Sequence, residues 1–293
     1  MENRTNKTPQ VSIGMPVYNG EQFIREALDS LLAQTFTDFE LIISDNASTD
    51  GTEAICREYA TRDARIRYVR WAENRGGIAN FMHVLDKAVG EYFMWAAHDD
   101  RWDPNWVSSI LLNISNMNNV AGFGELMHID ANSCLMHHRA NRSKFKYQGP
   151  RIFRKLLFFL SYEAKGKANL FYAIYPRDAL LKLDIERLKY DYVILFCLLD
   201  IVSFKYVPGP FFYKRIHCGC EGHVCCKLNN DLFFYKILNV IKFDLIVLYR
   251  YFLYSRLKYK IIISIFSILK ILISVRFHAG SFFLLANKKL FSK

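Results

Sequence analysis

Glu91-Tyr92-Phe93-Met94-Trp95-Ala96-Ala97-His98-Asp99-Asp100-Arg101-Trp102-Asp103-Pro104 is an apolar run that stops at two adjacent carboxylates. A short aromatic-rich run bounded by charge fits a central strand, covered on both faces, better than it fits a helix. Asp99 and Asp100 then stand at the carboxyl end of that strand. Ligands of open α/β sheets bind at this edge, and neighbouring carboxylates repel each other unless something positive lies beside them. A divalent cation held by oxygen ligands satisfies both conditions.

Upstream, the same pattern recurs. Val11-Ser12-Ile13-Gly14-Met15-Pro16-Val17-Tyr18 reads as a strand, with Pro16 near its end where a missing donor is tolerated. Asn19 with Gln22 has the spacing of a capping box, and Phe23, Ile24, Ala27, Leu28, Leu31 and Leu32 give the following helix a broad apolar face. Phe39 to Asp45 is a second strand ending in an acid. Asp50 with Glu53 is a second capping box, predicting a helix from about Gly51 toward Thr61. Ile66 to Trp71 is a third strand, Asn74 to Gly77 a loop, and Ile78 to Val89 a helix. The alternation βαβαβαβ predicts a parallel sheet covered on both faces.

Downstream, Asp103 as N-cap and Pro104 in the first turn predict a helix to about Met117, followed by a strand from Val120 to Ile129. Residues 131–149 read as loop, Ile152 to Leu160 as helix, and Asn169 to Tyr175 as strand stopped by Pro176. A further apolar helix starts at Asp191 and runs to about Leu199, and Val207 to Tyr213 crosses back in extended form.

The chain has 293 residues, 52% of them hydrophobic, enough for a sizeable core. Of its formal charge of +11, a net +9 lies between Asp231 and Lys293. The near-neutral remainder argues against a nucleic-acid reader built on the main domain, and the basic tail reads as meeting an anionic surface, most simply lipid. Within its apolar segments 233–254 and 261–275 the longest uncharged run, Ile261 to Leu269, is far shorter than the ~20 residues needed to span a bilayer. Two basic amphipathic helices at a membrane surface are the preferred reading, with a hairpin insertion and a helical packing module as alternatives. The organisation expected is therefore a catalytic domain over 1–228 and a membrane-associating helical region over 229–293. Met1 to Gln10 has no apolar core of a signal peptide, and seven cysteines, an odd number, suit a reducing compartment; the expected location is cytoplasmic, peripheral on the inner membrane face.

Taken together, Pro16-Val17-Tyr18-Asn19-Gly20-Glu21, Asp45-Asn46-Ala47-Ser48-Thr49-Asp50-Gly51-Thr52, Asn74-Arg75-Gly76 and the Asp99-Asp100 strand end resemble the family 2 glycosyltransferases, in that family's order, over roughly residues 10–217. The resemblance implies an α/β GT-A fold, Rossmann-like with a mainly parallel central sheet flanked by helices, here with a C-terminal basic helical extension. It also implies an inverting enzyme that uses Mn²⁺ or Mg²⁺ and a nucleotide-sugar donor, a UDP-sugar favoured. The acceptor would be a glycan or lipid-linked glycan, in surface polysaccharide or lipopolysaccharide synthesis.

By the same resemblance, Pro16, Tyr18, Asn19 and Glu21 lie against the nucleotide. Asp45 accepts from its base, the alternative for Asp45 being a cap of the next turn. Asn74 and Arg75 match a loop near the nucleotide, where Arg75 either contacts the diphosphate or is solvated. Asp99 and Asp100 match the metal motif, with His98 where the strict form has its first acid. Asp100 is then the favoured metal ligand, Asp99 serving the ribose or the metal second. Asp191 matches the base that takes the acceptor proton, a role compatible with capping its helix. Arg215 and His217 match a segment that closes the site, Arg215 on phosphate and His217 on metal or diphosphate. Residues 217–226 hold four cysteines and two histidines; a mobile acceptor loop is preferred over a zinc site because paired Cys-x-x-Cys knuckles are missing. Trp102 and Trp106 offer a ring to a sugar or pack in the core. Two other classes remain: a non-catalytic nucleotide-sugar binding scaffold, and a nucleotidyltransferase, whose Gly-rich, Arg/Lys-containing signature Met15 to Gly20 lacks.

Overall fold

Three apolar runs line up as the floor of the molecule. The computed structural model describes residues 8–161, 166–188 and 191–217. β1 (Val11–Val17) and β2 (Phe39–Asp45) are buried along their whole length, as is β4 (Tyr92–Trp95). β3 (Ile66–Arg70) alternates and is largely exposed, which suits its place at the edge. The strand order is β3-β2-β1-β4-β8, parallel throughout except for the antiparallel β8 (Tyr175–Pro176). The connections are α1 (Ile24–Leu32), α2 (Thr52–Arg62) and α3 (Gly77–Asp86). The chain runs outward from β1 to β3 and then crosses back to place β4 on the other side of β1. This creates a switch point at the carboxyl ends of β1 and β4.

Behind this sheet lies a second, mixed one that the alternation did not foretell, ordered β5-β9-β6-β7. It consists of β5 (Arg101–Trp102), β6 (Val120–Ile129), β7 (Leu135–Met136) and β9 (Ser203–Arg215), with β6 and β9 parallel. Their register shifts between Phe123 and Glu125, where Gly124 sits against Pro210; an added Cβ there would also meet the Trp106 ring at 2.6 Å. α4 (Trp106–Ile114) packs on both strands. The remaining helices are α5 (Arg151–Leu160), α6 (Arg177–Leu180), α7 (Ile185–Leu188) and α8 (Asp191–Leu198).

Local structure departs from expectation at four places, each with a visible cause. Asn19 takes φ 50° and its side chain accepts from the Thr49 amide at 2.8 Å, so it latches a neighbouring loop and α1 starts later, at Ile24. Gly51, not Asp50, is the N-cap of α2; Asp50, one residue earlier, accepts from the Thr52 amide at 3.0 Å, and Glu53 pairs with Arg57 and Arg70 and closes no box. Asp103 accepts from the Asn105 amide at 2.9 Å, and α4 begins at Trp106 and ends at Ile114. Residues 167–172 form a 3₁₀ helix in place of the expected strand. The buried Lys167 ammonium donates to the Phe158 and Ser161 carbonyls at 2.7 and 2.6 Å, and the Tyr175 hydroxyl donates to the Leu170 carbonyl. Coiling lets Phe171 stack on Trp95, ring centroids 4.4 Å apart, where a strand would turn alternate apolar side chains outward.

Among the described residues no helix is long and apolar enough to cross a membrane. The region 229–293 and the stretch 218–226 lie outside the described residues, so neither the membrane-helix expectation nor the zinc alternative is addressed.

Candidate functional site

Three loops meet at the carboxyl edge. Asn19 donates its amide to Ser48 Oγ at 2.9 Å, Gly20 to Thr52 Oγ1 at 2.8 Å and Glu21 to Asp50 Oδ2 at 3.1 Å. Glu21 in return accepts from the Gly51 amide at 2.7 Å. The ends of β1 and β2 are thus sewn together. Tyr18, 44% exposed, is left at the rim, while Pro16 lies buried within β1 opposite Ser44.

Asp45 belongs to this floor rather than to a ligand surface. It is fully buried, and its oxygens accept from the Ser48 amide and the Tyr68 hydroxyl, both at 2.8 Å, with Arg70 Nε 3.4 Å away. The expected contact with a nucleotide base is therefore closed to Asp45 in this conformation. Asp45 in turn helps raise the Tyr68 hydroxyl pKa, where burial is the larger cause. Asn46, which the sequence reading passed over, ties the edge to the next loop. Its Nδ2 donates to Asn74 Oδ1 at 2.8 Å and its Oδ1 accepts from the Arg75 amide at 2.9 Å. Arg75 is half exposed, its guanidinium 4.1 Å from the Trp71 ring centre, so it stands at the crevice held by stacking.

The two aspartates after β4 face different surroundings. Asp100 is fully buried; its Oδ1 accepts from the Arg215 amide at 2.8 Å and its Oδ2 pairs with Lys214 Nζ at 3.0 Å. Burial raises its carboxyl above the ordinary range, while Lys214 draws it back. Lys214 is held firmly charged by the carboxylates beside it, against the pull of burial. Both oxygens of Asp100, the metal ligand the sequence favoured, are engaged inside the protein in this structure, by the Arg215 amide and by Lys214. Asp99 is the partly accessible one, its Oδ2 3.1 Å from His217 Nε2. Burial raises its carboxyl, but Lys214, His98 and His217 outweigh this and hold it below the usual range. His98 packs over Gly20, where a Cβ would come within 2.6 Å of its ring, and burial lowers its pKa. It packs against Gly20 and stays partly exposed.

Arg215 also corrects an expectation. Only 1% exposed, it donates from Nε to the Asp99 carbonyl at 2.7 Å and from Nη1 to the Asp130 carbonyl and Ser133 Oγ, both at 2.9 Å, while Nη2 meets Glu26. It is a knot beneath the site and not a phosphate clamp. Trp102 and Trp106 are both buried around Phe212, so neither presents a ring to a sugar. Asp191 lies exposed at the N-terminus of α8. Its charge is felt by the Tyr172 hydroxyl, as are those of Lys214, Asp100 and Asp99, and burial is the main cause of that hydroxyl's raised pKa. Tyr172, its ring centre 5.2 Å from Lys214 Nζ, is a residue the sequence alone did not signal. Lys214 stands next to Arg215 in the sequence, yet nothing local reveals that it reaches Asp100.

Among the described residues no group of three or more His, Cys, Asp or Glu is placed to hold a metal. Asp99 and His217 alone, a carboxylate and an imidazole already side by side, form a two-ligand set of suitable chemistry for a divalent cation that takes its other ligands from phosphate and water.

A mainly parallel sheet whose strand order reverses between β1 and β4 defines an α/β protein of the class whose ligands bind at the carboxyl ends of the strands. Residues 12–183 match the family described as Glycosyl transferase family 2, and the chain belongs to that family. An uncharacterized glycosyltransferase of Rickettsia bellii (strain RML369-C) is 38% identical over 135 residues, 44% of this chain and 19% of that protein. The putative teichuronic acid biosynthesis glycosyltransferase TuaG of Bacillus subtilis (strain 168) is 38% identical over 98 residues, 33% of this chain and 39% of TuaG. The chain thus matches well under two thirds of the length of these relatives. Among solved structures, S. aureus TarS 1–349 in complex with UDP-GlcNAc superposes with TM-score 0.52 at 19% identity, over 84% of this chain and 74% of TarS. The mannosyltransferase PcManGT from Pyrobaculum calidifontis, in complex with GDP-Man and Mn²⁺, gives TM-score 0.57 at 14% identity, over 98% of this chain and 81% of PcManGT. The fold is that of the GT-A glycosyltransferases.

Proposed function

We propose that this chain transfers a sugar from a nucleotide-sugar donor to an acceptor hydroxyl, with inversion at the anomeric carbon. The observation that carries the reading is the Asp99–His217 pair, 3.1 Å apart at the carboxyl end of β4, with Asp191 exposed at the N-terminus of α8. The nucleotide lies along Tyr18, Asn19, Asn74 and Arg75, whose loops are held by the hydrogen bonds between β1, β2 and Asn46. Asp99 and His217 would hold Mn²⁺ or Mg²⁺, which would supply positive charge to the leaving diphosphate. Asp191, at a helix N-terminus that favours its ionised form, accepts the acceptor proton during in-line attack. No covalent intermediate is needed, which is why one base suffices. A UDP-sugar is the donor favoured by the TarS likeness, and a surface glycan or lipid-linked acceptor by the named function of TuaG. In this reading the tail 229–293 keeps the protein on the inner membrane surface.

Purified full chain is incubated with Mn²⁺ and a panel of nucleotide sugars, and donor turnover is followed beside calorimetric donor binding. Transfer or donor hydrolysis by the wild type, lost in Asp191→Asn while donor binding persists, is the expected result. Donor binding with no turnover from any sugar nucleotide in the wild type would overturn the enzyme reading in favour of a binding scaffold.

A further inference from the structure

From Ala131 to Ser161 the sequence carries seven Lys and Arg and no Asp or Glu. The structure sorts this stretch by side. Phe145 and Tyr147 are buried, while Arg142, Lys144 and Lys146 between and beside them face outward. Arg142 has Glu125 no closer than 3.9 Å and remains 70% exposed, and Lys144 lies 6.0 Å from the Tyr206 ring centre. Tyr147 binds this basic stretch to α5: its ring lies 5.2 Å from that of Phe158, and its hydroxyl donates to Ser161 Oγ at 3.0 Å.

α5 itself has two faces. Phe158 and Phe159 enter the core, and Lys155 is buried against Asp200 at 2.7 Å. The opposite side leaves Ile152 43%, Phe153 54% and Leu157 37% exposed, with Arg151 exposed beside them. A helix facing plain water carries polar residues on its outer side. An apolar stripe set among cations with no intervening acid has the composition of a surface that lies on anionic lipid. The competing occupants fit less well. A second copy would bring the same positive patch against itself, and residues 231–293, with a net +9, would repel it too. A polyanion in water would use the cations and leave Phe153 idle.

We propose that the outer face of α5 together with the basic stretch before it docks on an anionic phospholipid bilayer. Ile152, Phe153 and Leu157 enter the boundary between headgroups and acyl chains, and Arg142, Lys144, Lys146 and Arg151 meet lipid phosphates. This contact is separate from the transfer reaction and from whatever residues 229–293 do.

Hydroxyl-radical footprinting of the full chain tests it directly, with side-chain oxidation read by mass spectrometry. The probes are vesicles of phosphatidylcholine alone, vesicles mixed with phosphatidylglycerol, and dextran sulfate. Oxidation at Phe153 and Leu157 falls several-fold with the anionic vesicles only. In flotation with the same vesicles, Lys144→Gln and Lys146→Gln each weaken partitioning roughly fivefold. Oxidation of Phe153 that is unchanged while the chain floats with anionic vesicles assigns binding to another part of the chain and overturns the proposal. So does a Phe153 already protected without vesicles, or one protected equally by dextran sulfate.

Discussion

Asp99 and Asp100 are joined by one peptide bond, yet the chain turns the first toward His217 and the second into the interior toward Lys214. Their substitutions therefore have different signatures. Asp99→Asn leaves the fold intact and lowers kcat/KM by about 10²-fold or more, since it weakens charge stabilisation where the diphosphate leaves. Steady-state kinetics beside an unchanged melting temperature checks this. Asp100→Ala leaves Lys214 without its partner and costs about 3 kcal/mol of stability, read from the urea midpoint at constant slope. Glu26 offers a pH test away from these ligands. Burial raises its carboxyl, but the Ser133 hydroxyl, Arg215 and Arg101 together hold it below the usual range. A carboxyl depressed in the folded state contributes stability that is fully present above its unfolded value and lost as pH falls through the folded one. Glu26→Gln should therefore cost about 1 kcal/mol at neutral pH, modest because the side chain is 34% exposed, with the difference from wild type closing below about pH 4.

At the scale of elements, the parallel sheet was readable because β1, β2 and β4 are continuous apolar runs, each followed by turn residues and a helical period. The second sheet was not. β5 and β7 are two residues long, and β9 runs through Val207-Pro208-Gly209-Pro210, which reads as a crossing rather than as a strand. The apolar segment after Lys167 reads as strand because periodicity cannot show that its lysine is buried against the Phe158 and Ser161 carbonyls at the end of α5. The choice between Asp99 and Asp100 was likewise out of reach. It depends on Lys214, more than a hundred residues away, and local sequence records no such pairing. Where β6 shifts register, Gly124→Ala presses a methyl on Pro210 and the Trp106 ring and should destabilise by about 1–3 kcal/mol, since both neighbours are fixed in the second sheet. Thermal unfolding measures it. Substitution of the solvent-exposed Gly77, where an added Cβ meets nothing within 4 Å, is the control.

At the scale of the whole molecule, the crevice draws on both sheets: Tyr18, Asn19 and Asp99 follow strands of the first, whereas His217 follows β9 of the second. Ligand that binds across them should stabilise the molecule as one piece. UDP with Mn²⁺ at about 100 times its dissociation constant adds roughly 2.7 kcal/mol by mass action. Chelation with EDTA should remove most of that gain, and a melting curve indifferent to EDTA would speak against metal-assisted donor binding. The guanidinium of Arg215 gives this union a kinetic meaning. It holds the Asp99 carbonyl, Glu26 of α1 and the Asp130–Ser133 turn at the end of β6, and Ile216, next to it in the chain, bonds back to the Ile129 carbonyl at 2.9 Å. These segments cannot fray independently. Amide hydrogens of the 130–134 turn and of Ile216 should exchange through a single shared opening, so this edge of the site forms and dissolves as one cooperative unit.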